Sequence, residues 1–267
     1  MPLPNIIHNF IRKPFPLIEN ELTILLVEQA RSRQDEYVLP VAARWSVSNP
    51  YGKEVTYLEA PGFDPLAHFY EEHGLTPIPA SELIAFAAIN KLKRALDMLG
   101  SVRPVLDDVL KLVRSIQILK SEDEEIDVSY SHPGIAFSIF VSLCKDESQL
   151  SDLRVAESIL HEAMHLKLTL IEKIVPLVKA DTGNRYYSPW REELRPARGV
   201  LHGIFVFRAI LDFFRRLEVP KSGGIAGHLR FRADQIIGEL GQLEGFHTCP
   251  DLTADGATLT KNLLPSN

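Results

Sequence analysis

Residues 151–175 decide the fold, and they read SDLRVAESILHEAMHLKLTLIEKIV. Apolar residues occur almost all round a helical projection of this stretch, and Pro176 follows it. A helix that is apolar on nearly every face is buried, and proline ends a helix because it has no N–H to donate. The stretch therefore predicts a long helix in the protein core.

The pattern changes on the N-terminal side of this helix. The acidic run SEDEEIDVSY (121–130) is followed by SHPG (131–134) and IAFSIFVSL (135–143). β-Branched and aromatic residues that flank a Pro-Gly turn are typical of paired strands. We therefore expect a hairpin or a pair of strands beside the buried helix.

Helical spacing of apolar residues predicts further helices on both sides. The helix expected over 81–99 has Ser81 as a candidate N-cap and is followed by Gly100. The connector 49–79 is expected to be irregular or a small subdomain rather than a long regular element, and the tail from residue 249 is expected to be loop. The other expected helices cover 17–34, 105–119, 197–217 and 225–243.

These elements predict an α+β protein that is mostly α-helical. We expect a small β-sheet next to a zincin-like HExxH helix, and an N-terminal helical lobe that covers it. The expected division is a mainly helical lobe (1–120) and a metal-binding catalytic region (121–267), unless the two form one integrated domain.

Composition excludes several classes of protein. The 267 residues are 45% hydrophobic with a formal charge of -6, which suits a globular chain and disfavours nucleic acid as a partner. Cys144 and Cys249 are too few for a disulfide framework, and the N-terminus lacks the apolar core of a signal peptide. The most apolar stretch, 203–214, contains Arg208 and Asp212 and is too short for a membrane span. We expect a cytoplasmic protein without a membrane anchor.

Residues 161–165 read HEAMH, which is an H-E-x-x-H motif within the buried helix. Residues four apart lie on one face of a helix, so the imidazoles of His161 and His165 can bind one metal ion. Glu162 lies one residue further round, where it can reach metal-bound water or orient the site. Two buried histidines without a partner would be costly, which favours a metal site.

Catalytic metal sites usually take a third protein ligand. His202, in the first turns of the helix expected over 197–217, is the leading candidate for this third ligand. The carboxylates Asp181, Glu192 and Glu193 in the preceding polar loop are alternatives.

Three arginines stand near Trp190 in the segment YYSPWREELRPAR (186–198). Arginine grips a carboxylate through two parallel hydrogen bonds, and a helix N-terminus adds positive potential. An organic acid could therefore bind Arg191, Arg195 or Arg198. Arg195 is the first choice, since Pro196 after it should fix the start of the helix.

Together HEAMH, YYSPWREELRP and GVLHGIFVF resemble the HExxH-type peptide hydroxylases, known as HExxH-motif peptide-modification proteins of ribosomal natural-product pathways. The resemblance covers roughly residues 130–217. It implies β-hydroxylation of a side chain in a ribosomally made precursor peptide by iron(II), 2-oxoglutarate and O2. It also implies that His161, His165 and His202 bind the metal, and that Arg195 with its neighbours belongs to the tryptophan–arginine patch.

Two other functions use the same residues. In a zinc metallopeptidase, Glu162 would act as general base, and Tyr186 or Tyr187 would stabilise the oxyanion. Such a peptidase has no general need for an arginine clamp. In a peptide-binding module the metal would be structural, but such zinc sites usually have four ligands, often cysteines, and neither Cys144 nor Cys249 lies at ligand spacing from HEAMH.

Overall fold

The structure, a computed structural model, describes residues 2–15, 17–18, 20–33, 41–49, 51, 56–62, 67–121, 123, 126–135, 137–180, 182–218 and 223–264. The protein is α+β and 55% helical, which confirms the expected fold class at this level. Its helices are α1 (Leu3–Arg12), α2 (Asn20–Ser32), α3 (Ala67–Glu72), α4 (Ala85–Gly100), α5 (Arg103–Leu112), α6 (Gln149–Glu172), α7 (Ala197–Arg216), α8 (Gly224–Gly241) and α9 (Ala254–Leu263). Its strands are β1 (Val41–Val47), β2 (Thr56–Pro61), β3 (Ser115–Leu119), β4 (Ser129–Ser131), β5 (Ser138–Ser142), β6 (Tyr186–Ser188) and β7 (Glu193–Arg195).

Two compact units make up the chain. The sheet unit is Val27–Leu166, and the helical unit is Met1–Leu26 together with Lys167–Asn267. The boundary between them falls within α6. The expected division near residue 120 concerns which parts of the chain fold independently, and it stays a prediction.

The sheet unit is built on five strands in the order β1-β2-β3-β5-β4. The inner strands β2, β3 and β5 run parallel, while β1 and β4 pair antiparallel at the two edges. Every residue of β3 and of β5 is buried, as expected for strands in the middle of a covered sheet. The edge strand β4 and β5 form the hairpin predicted from residues 121–143.

Side chains of β4 alternate between the two faces of the sheet. Ser129 and Ser131 pair with Val141 and Ile139, so these four residues share one face. Tyr130 pairs with Phe140 on the other face. There Phe140 packs in a cluster with Tyr70 of α3, Leu75, Leu119 and Ile135.

The helical unit has α7 at its centre, and α7 is buried along most of its length. Phe205 of α7 meets Phe10 of α1 edge-on at 6.5 Å between ring centroids. Lys167 is fully buried in this unit, and its ammonium group donates to the Leu17 carbonyl at 3.1 Å. Strands β6 and β7 form a separate antiparallel hairpin directly before α7. No helix within the described residues is long and apolar enough to cross a membrane.

The predicted helices over 17–34, 81–99, 151–175, 197–217 and 225–243 are confirmed with shifted ends. Three expectations are wrong. The helix over 105–119 ends at Leu112, and β3 follows; Ile116 and Leu119 continue the helical spacing of apolar residues, which is why the sequence predicted one helix. The tail, expected to be loop, contains α9, capped by the Thr253 hydroxyl that accepts from the Gly256 N–H. The connector 49–79 is not among the three, since its described residues hold the short elements β2 and α3 and no long one. Ser81 is not an N-cap, since α4 begins only at Ala85.

Candidate functional site

The two histidines of HEAMH point at the same place. They lie one turn apart on α6, and the Nε2 atoms of His161 and His165 are 3.2 Å apart. Two nitrogens at ~2.1 Å from one metal ion, in adjacent tetrahedral or octahedral positions, lie about 3.0–3.4 Å apart. The side chain of His161 is 24% exposed, so solvent reaches this position. The pair therefore fits two adjacent ligands of one metal ion.

Glu162 is held by two serines of the edge strand β4. The hydroxyls of Ser129 and Ser131 donate to its two carboxylate oxygens, each at 2.6 Å. The nearer oxygen, Oε1, lies 3.9 Å from Nε2 of His161. The carboxylate is buried, and these hydrogen bonds fix both its position and its orientation beside the histidine pair.

The serines were missed in the sequence. Their signal is the alternation Ser129-Tyr130-Ser131, which puts two hydroxyls on one face of a strand. Sequence spacing alone does not show that this face meets α6, because the pairing of β4 with β5 decides it.

On the other face of β4, aromatic rings gather around Phe69. The ring centroids of Tyr130 and His132 lie 6.3 and 5.4 Å from that of Phe69. The tilted ring of His73 lies 5.2 Å from each of these two rings. Burial, together with the charges of Glu162 and Glu72, raises the pKa of Tyr130. Burial and the neighbouring His73 lower the pKa of His132. Both shifts favour the uncharged forms of Tyr130 and His132 beside the strand that holds Glu162.

His202 is buried on α7 and pairs with Glu172, the last residue of α6. Its Nε2 lies 3.0 Å from Oε2 of Glu172, and Nε of Arg198 donates to the same oxygen at 2.8 Å. Burial lowers the pKa of His202 although Glu172 counteracts it. Burial also works to raise the pKa of Glu172, but His202 and Arg198 outweigh it, so that pKa lies below its usual value. The three side chains form a hydrogen-bonded cluster, and the sequence did not indicate Glu172 as a member of it.

The other residues of the arginine patch are placed differently. Arg195 donates to Glu193 at 2.8 Å on the exposed β6–β7 hairpin, and Arg191 is exposed in the turn of that hairpin. Pro196 precedes α7 as its N-cap, so the expected start of this helix is confirmed. Of the three arginines, Arg198 is the one that shares a carboxylate with His202.

Trp190 packs on α7. Its ring stacks on Phe207, with centroids 4.8 Å apart and an interplanar angle of 14°. A Cβ at Gly203 would lie 2.3 Å from Cζ3 of Trp190, so the glycine is what lets the ring approach the helix. These contacts explain Trp190 as a packing residue of the helical unit, and its predicted part in cofactor binding stays a prediction.

The alternative residues are engaged elsewhere or exposed. The Tyr186 hydroxyl donates to Asp251 at 2.8 Å, and Tyr187 is exposed. Glu192 occupies the hairpin turn at a φ of 52°. Asp181 lies outside the described residues.

Across the described residues, no group of three or more His, Cys, Asp or Glu side chains is arranged to hold a metal ion. His161 and His165 could supply two ligands, while the Nε2 of His202 faces Glu172. The role of His202 as third ligand stays a prediction. Neither the protein-family models nor the curated proteins give a match to this chain.

Proposed function

We propose that this protein is an iron(II)- and 2-oxoglutarate-dependent dioxygenase that β-hydroxylates a side chain of a ribosomally made precursor peptide in the cytoplasm. The observation that carries the proposal is the 3.2 Å separation of the Nε2 atoms of His161 and His165, at a position that solvent reaches. The resemblance of HEAMH, YYSPWREELRP and GVLHGIFVF to the HExxH-type peptide hydroxylases supports the choice of reaction.

The hydrogen bonds of Glu162 favour a hydroxylase over a zinc peptidase. A peptidase needs this carboxylate as a base for metal-bound water. Here each carboxylate oxygen already accepts a 2.6 Å hydrogen bond from Ser129 or Ser131. These two bonds occupy one acceptor position on each oxygen, so less of the carboxylate remains to take a proton from metal-bound water. In a hydroxylase Glu162 need only orient the neighbouring histidine or bound water, and its fixed position suits that task.

Arg198 is the better candidate for the distal carboxylate of 2-oxoglutarate. Its guanidinium lies one helical turn from His202, the predicted third ligand, and the co-substrate carboxylate would replace that of Glu172 as its partner. Arg195 pairs with a surface glutamate, an interaction that is worth little in free energy. When bound, iron(II) with 2-oxoglutarate would supply the oxidising chemistry. The contribution of the protein is to hold the two imidazoles, to orient Glu162 and to bind the co-substrate carboxylate.

We propose that the peptide binds along the edge strand β4. The helix beside this strand is α6, which we compare with the HExxH helix of zincins. An extended peptide can add to a free sheet edge through main-chain hydrogen bonds. Ser129 and Ser131 of this strand hold Glu162, so a peptide that pairs with β4 is brought to the candidate site.

An anaerobic reconstitution tests the proposal. Protein loaded with iron(II) is mixed with 2-oxoglutarate and then exposed to oxygen, and succinate is measured. We expect oxygen-dependent succinate formation that is lost in His161→Ala and kept in His247→Ala, a matched control on the 3-10 helix Phe246–Thr248. Succinate formation at the background rate, together with cleavage of an unstructured protein such as casein by zinc-loaded protein, would replace the proposal with the peptidase.

A further inference from the structure

A cavity of about 520 Å³ lies in the sheet unit, where it meets the start of α4 and the C-terminal ends of β3 and β5. This volume falls within the ~300–1,000 Å³ typical of small-molecule sites. In open α/β sheets the carboxyl ends of parallel strands are also the usual place for a ligand. β3 and β5 are parallel neighbours, so the cavity has both the size and the position of a binding site.

The apolar part of the cavity lining is aliphatic, and charged side chains surround it. Among the described residues around it there is no aromatic ring. The apolar part of the wall comes mainly from Ile78, Leu83, Ala87, Ile118, Leu119 and Leu143. Such a surface binds apolar groups of a ligand through their burial alone, and it offers no ring on which a planar ligand can stack. A flexible aliphatic chain fits it best.

The charged side chains around the cavity are paired with one another or with nearby residues. Glu82 pairs with Lys120 at 2.7 Å, and Asp127 pairs with Arg154 at 2.9 Å. Lys91, at the buried end, pairs with Asp152 at 3.0 Å.

Glu147 pairs with Arg94, and Asp123 and Lys145 are also engaged in interactions. The pair of Lys91 and Asp152 is buried, so a charged ligand at that end would have to break it or enter the apolar interior without a partner, and both are costly. The charge pattern therefore selects an uncharged ligand.

At the mouth of the cavity two large apolar side chains face solvent. Ile84 is 75% exposed and Ile126 is 59% exposed, and both belong to the cavity lining. Exposed apolar residues that flank an apolar cavity mark a binding site more often than scattered surface residues do. They extend the aliphatic surface outward, so a chain longer than the enclosed part would still be covered.

We propose that this cavity binds an uncharged molecule with a flexible aliphatic chain. The site is built from residues other than the histidine pair, so it stands independently of the proposed hydroxylation. Cys144 belongs to its buried part, and burial together with Asp127 raises the pKa of that thiol, so it adds no charge to the lining at neutral pH.

The test uses 1-octanol as the uncharged probe and the full chain with isotope-labelled isoleucine methyl groups. During an NMR titration we expect saturable shifts of the methyl groups of Ile78, Ile84, Ile118 and Ile126. Ile204 and Ile210 of α7 serve as internal controls and should not shift. Octanoate and octylamine, of the same chain length, should bind at least tenfold more weakly.

Two variants of α4 locate the site. Ala87 lines the cavity and Ala85 does not, although both are at the start of the same helix. Ala87→Trp should weaken octanol binding at least tenfold, and Ala85→Trp should leave it unchanged, with thermal unfolding measured for both. The proposal is overturned if octanol produces no saturable shift, if Ile204 and Ile210 shift equally, if either charged probe binds as tightly as octanol, or if Ala87→Trp binds octanol normally.

Discussion

Two stretches of this chain carry the chemistry expected from the sequence, and the structure treats them differently. In residues 161–165, both imidazoles meet at one point and the glutamate between them is anchored to β4. In residues 186–202, the polar side chains bind neighbours that the sequence did not indicate. Arg195 pairs with Glu193, and His202 with Glu172.

The difference shows what sequence spacing can establish. Within one helix, four residues of separation set the geometry of a pair directly, since the backbone repeats every 3.6 residues. Between α6 and the polar loop no such rule exists, and partners depend on how separate elements pack. The convergence of the two imidazoles was therefore predictable, whereas the pairing of His202 and Arg198 with Glu172 was not.

The first test of this comparison replaces the arginines one at a time by leucine. Arg198→Leu should raise the 2-oxoglutarate concentration for half-maximal succinate formation by about tenfold to a hundredfold, because a charge-assisted bidentate contact contributes ~1.5–3 kcal/mol. Arg195→Leu is the matched control and should change this concentration less than twofold. If Arg195→Leu raises this concentration and Arg198→Leu does not, Arg195 binds the co-substrate, as the sequence first indicated.

A second test breaks the anchorage of Glu162. Replacing Ser129 and Ser131 together by Ala should lower the rate of succinate formation at least tenfold, since outer residues that orient metal ligands typically contribute ~10–100-fold to activity. Ser158→Ala, which removes a buried hydroxyl of α6 bonded to the Arg154 carbonyl, is the control. Equal rates in the double variant and the control would mean that the serines do not position Glu162 for the reaction.

A third test concerns Trp190. Gly203→Ala places a methyl group against its ring, and overpacking of this kind costs about 1–3 kcal/mol. We expect a lower free energy of unfolding in urea, with an unchanged 2-oxoglutarate requirement in the folded protein. A changed requirement at unchanged stability would instead place Trp190 at the co-substrate.

The smallest expected effect is a pH dependence at His132. The pKa of His132 is lowered in the folded protein, so the unfolded chain binds the proton more readily. Its neutral form favours the fold above pH ~6.5, and stability is lost as the pH falls through that value. Urea unfolding at pH 7.5 and pH 5.5 should show a smaller acid loss in His132→Gln than in the parent protein. An equal loss in both proteins would contradict the assignment.

Much of the framework of helices and strands was predictable, because the apolar pattern of these segments has one interpretation. The helix over 151–175 and the Pro133-Gly134 hairpin are examples, and both are present. The strand β3 was not predictable. Its residues are buried on both faces, Gln117 as well as Ile116 and Ile118, so burial does not alternate along it. The candidate site followed the same rule: His161 and His165 came from spacing, while Ser129, Ser131 and Glu172 required the tertiary structure.

The most direct test of the central claim is a cobalt(II) titration of the apoprotein, followed by visible absorption and by equilibrium dialysis. Because His161 and His165 converge on one point, the parent protein should bind one cobalt ion per chain with a ligand-field spectrum. His161→Ala and His165→Ala should each lose that spectrum, and His202→Ala should report whether the predicted third ligand takes part. Binding of cobalt with the same affinity and spectrum in His161→Ala and His165→Ala would contradict the account.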